Sequence, residues 1–170
     1  MAFESWSAER ASEIIGVHKG RPGAALPILH ALQEAFGCVP TEAVPLVAEA
    51  LNLSRAEVHG VVTFYHDFRA APPGRTVVKL CRAEACQAVG SEELAAEMER
   101  RLGVKFGQTT PDKRVTLEAI YCLGNCACGP SGLIDGKLEA YLDADKVEAK
   151  IAQSERRGAE RRSNETRGRH

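Results

Sequence analysis

Apolar positions recur along this chain at two different spacings, and the change of spacing divides it. In the first part they come three and four residues apart. Ile28, Leu29, Leu32, Ala35 and Phe36 share one side of the stretch 27–36, which Gly37 ends, as in an amphipathic helix. Residues 41–51 repeat the pattern as a second helix, with Pro45 in the first turn, where a missing N–H is tolerated. Ser54-Arg-Ala-Glu57 is a capping box for a third helix, with Val58, Val61, Val62 and Tyr65 along one stripe. Arg69-Ala-Ala-Pro72-Pro73-Gly74 then breaks the pattern.

Beyond the break the spacing shortens. Thr76 to Leu80 and Val115 to Tyr121 read as strands, the second with partial alternation. Between them Ser91 is placed to cap a helix with Leu94, Met98 and Leu102 on one face, stopped by Gly103. Residues 132–136 and 138–142 form a hairpin about the Asp135-Gly136 turn, and a last helix covers 143–152. The fold class expected is α+β: a helical bundle over 1–71, then a layered domain over 72–153.

Composition narrows the class. An apolar fraction of 44% is ordinary for a globular protein. No run of about 18 apolar residues occurs, so no membrane span is expected. The start, Met1-Ala-Phe-Glu-Ser-Trp6, lacks the basic and apolar regions of a signal peptide, which points to the cytoplasm, where thiols stay reduced. Net charge is −1, but 154–170 holds six arginines against three glutamates and nothing apolar beyond Ala159. This stretch is expected to be a basic, disordered tail. It lacks aromatic residues to stack on bases, so nucleic acid is not an expected partner.

The chemistry lies in the cysteines. Five of the six fall between Cys81 and Cys128, in the clips Cys81-x4-Cys86 and Cys122-x3-Cys126 with Cys128 just after. Two clips separated by folded chain can surround a metal centre, each supplying two thiolates. By spacing alone an iron-sulfur cluster, a structural zinc ion and disulfides all remain open. Both clips follow predicted strands, and Gly124 and Gly129 sit where glycine would let backbone N–H groups approach the sulfurs.

Cys81-x4-Cys86, Gly107-Gln-Thr-Thr-Pro-Asp112, Tyr121-Cys-Leu-Gly-Asn-Cys126 and the upstream Gly60-Val-Val-Thr-Phe-Tyr65 together resemble the thioredoxin-like 2Fe-2S subunits of NADH:quinone oxidoreductase (complex I) and related NAD-linked enzymes. The resemblance spans about 24–152, and the segment from Val62 to Arg69 is most like the gamma subunit of NAD-dependent formate dehydrogenase. It implies a thioredoxin-like 2Fe-2S domain over 72–153 and one 2Fe-2S cluster held by Cys81, Cys86, Cys122 and Cys126. The family pattern prefers Cys126 to Cys128, a choice that periodicity does not decide. It further implies FMN and NAD on a partner subunit, and a larger iron-sulfur, molybdenum-containing subunit. Equivalent subunits of complex I or an NAD-linked hydrogenase, or a zinc-stabilised interaction module, are the alternatives.

Other candidates take plainer roles. Cys38, alone near a helix end, reads as a packed thiol, and His30, His59 and His66 as packing or surface residues. Asp112 and the threonines before it form a turn. No Ser-His-Asp set, nucleotide loop or paired acids suggest catalysis by the chain alone, and the missing C-x-x-C argues against thiol exchange.

Overall fold

The computed structural model describes residues 3–167, with side chains described up to Glu160. The chain divides between Pro72 and Pro73 into two compact units.

The first unit is four helices: α1 (Ala8–His18), α2 (Ala25–Phe36), α3 (Ala43–Leu51) and α4 (Arg55–Phe64). The first of these is an addition to the three helices expected. Its markers were present: Ser7 caps it by accepting from the N–H of Arg10, and Ala11, Ile14 and Ile15 form its buried stripe. Helix α2 ends at Gly37, whose φ of +77° suits glycine; a Cβ there would meet the Phe3 ring. The capping box at α4 is complete, with Ser54 Oγ accepting from the Glu57 N–H at 3.1 Å and Glu57 Oε2 accepting from the Ser54 N–H at 2.8 Å. The α4 stripe, however, is not uniform. Val58 is fully buried, Val61 and Val62 are half-buried against Leu29, Val39 and Phe68, and Tyr65 lies past the helix end, exposed beside the still more exposed Phe64.

The second unit follows the order β1 (Thr76–Cys81), α5 (Glu84–Gln87), α6 (Ser91–Leu102), β2 (Gln108–Thr109), β3 (Val115–Ile120), β4 (Gly132–Ile134), β5 (Lys137–Glu139) and α7 (Ala144–Arg167). Its sheet has the order β2-β3-β1-β4-β5. The two central strands are parallel, with Thr76 opposite Val115 and Cys81 opposite Ile120, and every other pairing is antiparallel. A parallel pair cannot close through a hairpin, so the chain from 82 to 114 crosses over and carries α6. One face of the sheet presents Val78, Leu80, Val115, Leu117 and Ile134 to Leu94 and Met98 of α6 and to Val147 and Ile151 of α7. The pleat turns Lys79 and Glu118 to the opposite face, where they pair at 3.0 Å. At the hairpin, Asp135 and Gly136 both have positive φ, as a type I′ turn requires, and Asp135 Oδ1 accepts from the Val77 N–H at 2.8 Å.

Two expectations about helix ends are corrected. Ser91 does not cap α6: Gly90, at φ +95°, holds that position, and the Ser91 hydroxyl is buried inside the first turn without a protein partner. The final helix does not stop at Ala152: α7 runs on to Arg167. Extending a packed helix needs no new nucleus, and Arg, Glu and Ala all have high helix propensity. The last three residues of the expected tail lie outside the described residues.

Candidate metal centre

The parallel register of β1 and β3 places the ends of both strands side by side, and the clips grow from those ends. Cys81 is the last residue of β1, its N–H donated to the Ser131 carbonyl at 2.9 Å. The next residue extends the pairing, since the Arg82 N–H reaches the Ile120 carbonyl at 2.9 Å. The chain then turns into α5, which carries Cys86. After β3, Cys122 enters the left-handed region at φ +59° and Gly124 follows at +75°. This double reversal folds the loop back, and Cys126 opens the 3-10 turn Cys126–Cys128.

The four thiols fall into two pairs. Cys122 Sγ and Cys126 Sγ are 3.9 Å apart, and the Cys81 and Cys86 thiols act on each other. Each pair acts electrostatically on the other, because Cys126 is raised by Cys81 as well as by Cys122. Among the described residues no three ligating side chains converge on a single ion. Two neighbouring pairs offer the four thiolates that a 2Fe-2S cluster takes.

The two pairs differ in surroundings. Cys81 and Cys86 are each 2% exposed, whereas Cys122 and Cys126 are exposed. Burial by itself raises the Cys81 thiol. The N–H groups of Ala83, Cys122 and Leu123, with the Cys86 thiol, overcome burial and bring Cys81 below the ordinary thiol value. Cys86 is raised, first by burial and then by Cys81 and Cys126, against the opposing Ser131 N–H. Donors thus point at the sulfurs from both loops, as an anionic sulfur site needs.

The glycine expectation is half met. A Cβ on Gly129 would lie 2.8 Å from Val89 Cγ2 and 3.4 Å from Cys86 Sγ, so the backbone does approach the thiol closely. Its N–H, however, goes to the Cys126 carbonyl, and the N–H groups acting on the thiols are those of Ala83, Cys122, Leu123, Cys126 and Ser131. Gly124 meets nothing; its positive φ is what requires glycine. Ser131, which the sequence did not single out, is 1% exposed and accepts from Asn125 Nδ2 at 3.0 Å while donating toward the Asn125 and Cys128 carbonyls. Its backbone serves both members of the first pair.

Cys128 is occupied elsewhere. Its thiol pairs with the Tyr141 phenol, which is raised by that contact, and its carbonyl accepts from the Tyr141 N–H at 2.9 Å. Cys38 belongs to the first unit, 6% exposed, its thiol pushed up by burial and by Glu42. His30 lies against Phe68, with centroids 4.9 Å apart, and His59 and His66 are exposed. Asp112 forms the expected turn, accepting from the Thr110 hydroxyl at 2.5 Å and the Arg114 N–H at 3.0 Å.

The family model for thioredoxin-like [2Fe-2S] ferredoxins matches residues 11–155. The chain belongs to that family. It is 38% identical over 148 residues to the E subunit of NADH-quinone oxidoreductase from Escherichia coli K12, covering 86% of this chain and 89% of that one. It is 29% identical over 133 residues to the HndA subunit of the NADP-reducing hydrogenase of Solidesulfovibrio fructosivorans, covering 78% of each. An NAD+-reducing [NiFe]-hydrogenase, solved in its H2-reduced state, superposes with a TM-score of 0.62 at 26% identity over 75% of this chain. The match spans 22% of that hydrogenase chain. The α+β architecture is therefore thioredoxin-like in its second unit, and the 2Fe-2S cluster is the cofactor of the family.

Proposed function

We propose that this chain is an electron-transfer subunit of a multisubunit NAD-linked oxidoreductase, and that Cys81, Cys86, Cys122 and Cys126 hold its cluster. The observation that carries the reading is the convergence of two thiol pairs at the adjacent ends of β1 and β3, with backbone donors around them. When bound, a 2Fe-2S cluster supplies a one-electron couple. The chain's own residues fix it, shield one side and solvate the sulfurs with N–H groups. Exposed Cys122 and Cys126 are the side open to a neighbouring carrier, while buried Cys81 and Cys86 anchor the site in the sheet.

The relatives carrying this fold are subunits of NADH-quinone oxidoreductase and of pyridine-nucleotide-linked hydrogenases, which supports an enzyme of that type. FMN and NAD then lie on a partner subunit. Formate dehydrogenase is the narrower reading, resting on the segment Val62 to Arg69, and adds a larger iron-sulfur and molybdenum subunit. The complex I reading draws on the 38% identity to the Escherichia coli relative. Among the described residues no helix is long and apolar enough to cross a membrane.

Analysis of the purified chain for iron, acid-labile sulfide and a dithionite-reducible electron paramagnetic resonance signal tests the cluster. Expected are two irons per chain and no turnover of formate or NADH by this chain alone; a colourless zinc protein overturns the reading. Purification of the intact complex separates the narrower readings. Molybdenum with formate-dependent NAD reduction supports formate dehydrogenase, and quinone or hydrogen activity without molybdenum replaces it.

A further inference from the structure

Resting on the ligand reading above, we propose that the Arg82–Glu92 pair sets the reduction potential of the cluster, with Arg82 as a fixed positive charge at its edge and Glu92 as the residue that positions and offsets it.

Arg82 follows Cys81 directly, inside the first clip, and its backbone N–H is locked to the Ile120 carbonyl. Its side chain is held by two contacts. Glu92, in the first turn of α6, takes the guanidinium in a two-bond fork, Nε to Oε1 at 3.0 Å and Nη2 to Oε2 at 2.6 Å. The guanidinium carbon stands 5.0 Å from the centroid of the Phe106 ring. The Tyr121 phenol, one residue before Cys122, lies within electrostatic reach of it. Gln87 Nε2 donates to the Arg82 carbonyl at 2.9 Å, closing the clip over the residue. The charge so held belongs to the residue that directly follows Cys81 inside the first clip.

The chemistry that makes this matter is charge. A 2Fe-2S cluster with four thiolate ligands is an anion that gains a further negative charge on reduction, so a nearby cation favours the reduced state and a nearby anion opposes it. Arginine stays protonated throughout the accessible pH range, so its contribution is constant. Both side chains are partly withdrawn from water, at 32% and 41% exposure, and their field is screened less than that of free surface charges. The bidentate fork and the ring contact hold the guanidinium in one place, as a lysine would not be held. Glu99 also acts on Arg82, but its own carboxylate is engaged by Lys105 and the Phe106 N–H.

The test is redox titration of the full-length chain, followed by electron paramagnetic resonance, with iron content measured on each sample. Glu92→Gln should raise the midpoint potential and Arg82→Gln lower it; the double variant should return toward the starting value. A purely structural clamp would shift both single variants in one direction, or lower iron content without changing the potential of the remainder; either result overturns the inference. Arg82→Lys keeps the charge without the fork, and its potential should lie between those of Arg82→Gln and the parent. If Arg82→Gln does not retain iron, Glu92→Gln, which lies outside both clips, decides by itself: an upward shift supports the proposal and an unmoved potential ends it. Absence of a cluster from the parent chain would instead remove the ligand reading, whereas an intact cluster indifferent to Glu92 would leave that reading standing and remove only this one.

Discussion

The first clip is built from regular structure and the second from its interruption. Cys81 ends a strand paired on both sides, Cys86 rides on a short helix, and both are buried. Cys122 and Cys126 sit in a loop that reverses through two positive φ angles, and both are exposed. The difference separates two jobs. One pair inherits its position from the sheet and would change only if the sheet did. The other is placed by local backbone geometry and side-chain tethers such as Asn125 to Ser131, and it keeps contact with the outside.

Removing thiols should produce the largest contrast. Alanine at Cys81, Cys86, Cys122 or Cys126 is expected to abolish the cluster, while Cys38→Ala and Cys128→Ala leave iron content unchanged. Adding a small thiol to the reconstitution should restore a visible spectrum in Cys122→Ala and Cys126→Ala but not at the two buried positions. Equal rescue at all four would erase the distinction between the clips.

A backbone clash comes next. A Cβ on Gly132 would stand 2.6 Å from the Lys79 carbonyl oxygen, in the strand beside the first clip, and neither strand can yield without breaking the pairing. Gly132→Ala should cost about 3 kcal/mol in chemical denaturation, at the upper end of overpacking penalties. Asn125→Ala acts on the other clip and removes one side-chain hydrogen bond to Ser131, costing about 1 kcal/mol. A larger loss for Asn125→Ala than for Gly132→Ala would reverse the assignment of rigidity. The mildest probe is alkylation of cluster-free protein near neutral pH. Cys81 has the lowered thiol, but access should decide, so mass spectrometry should find Cys122 and Cys126 modified before Cys81 and Cys86.

The same contrast explains what could be read from the sequence. Short-range chemistry was visible: the Ser54–Glu57 box, the Asp135-Gly136 turn, and the strand preceding each clip all rest on residues a few positions apart. Parallel pairing of β1 with β3 was not, because the partners are some forty residues apart and the crossover leaves no local mark. The N–H groups of Ala83, Leu123 and Ser131 carry no residue signature, since every non-proline residue has one. Ser91 shows how a cap motif misleads: a glycine one residue earlier can take the left-handed position and draw the serine into the helix. Helix α1 could have been found, since Ser7, Ala11, Ile14 and Ile15 form a capped stripe. Leu94, Met98 and the stop at Gly103 were correctly readable because helix periodicity is itself local.

The register of β1 against β3 carries a consequence for how this chain tolerates change in length. The strand ends from which the two clips leave are held side by side by ladder hydrogen bonds, from Thr76 opposite Val115 to Cys81 opposite Ile120, and not by the number of residues that join the clips. Residues can therefore be gained or lost in the turns around Gly103 and Lys113 while the strand ends stay side by side. One residue deleted within either strand would shift its clip by about 3.3 Å and turn its side chains to the opposite face of the sheet.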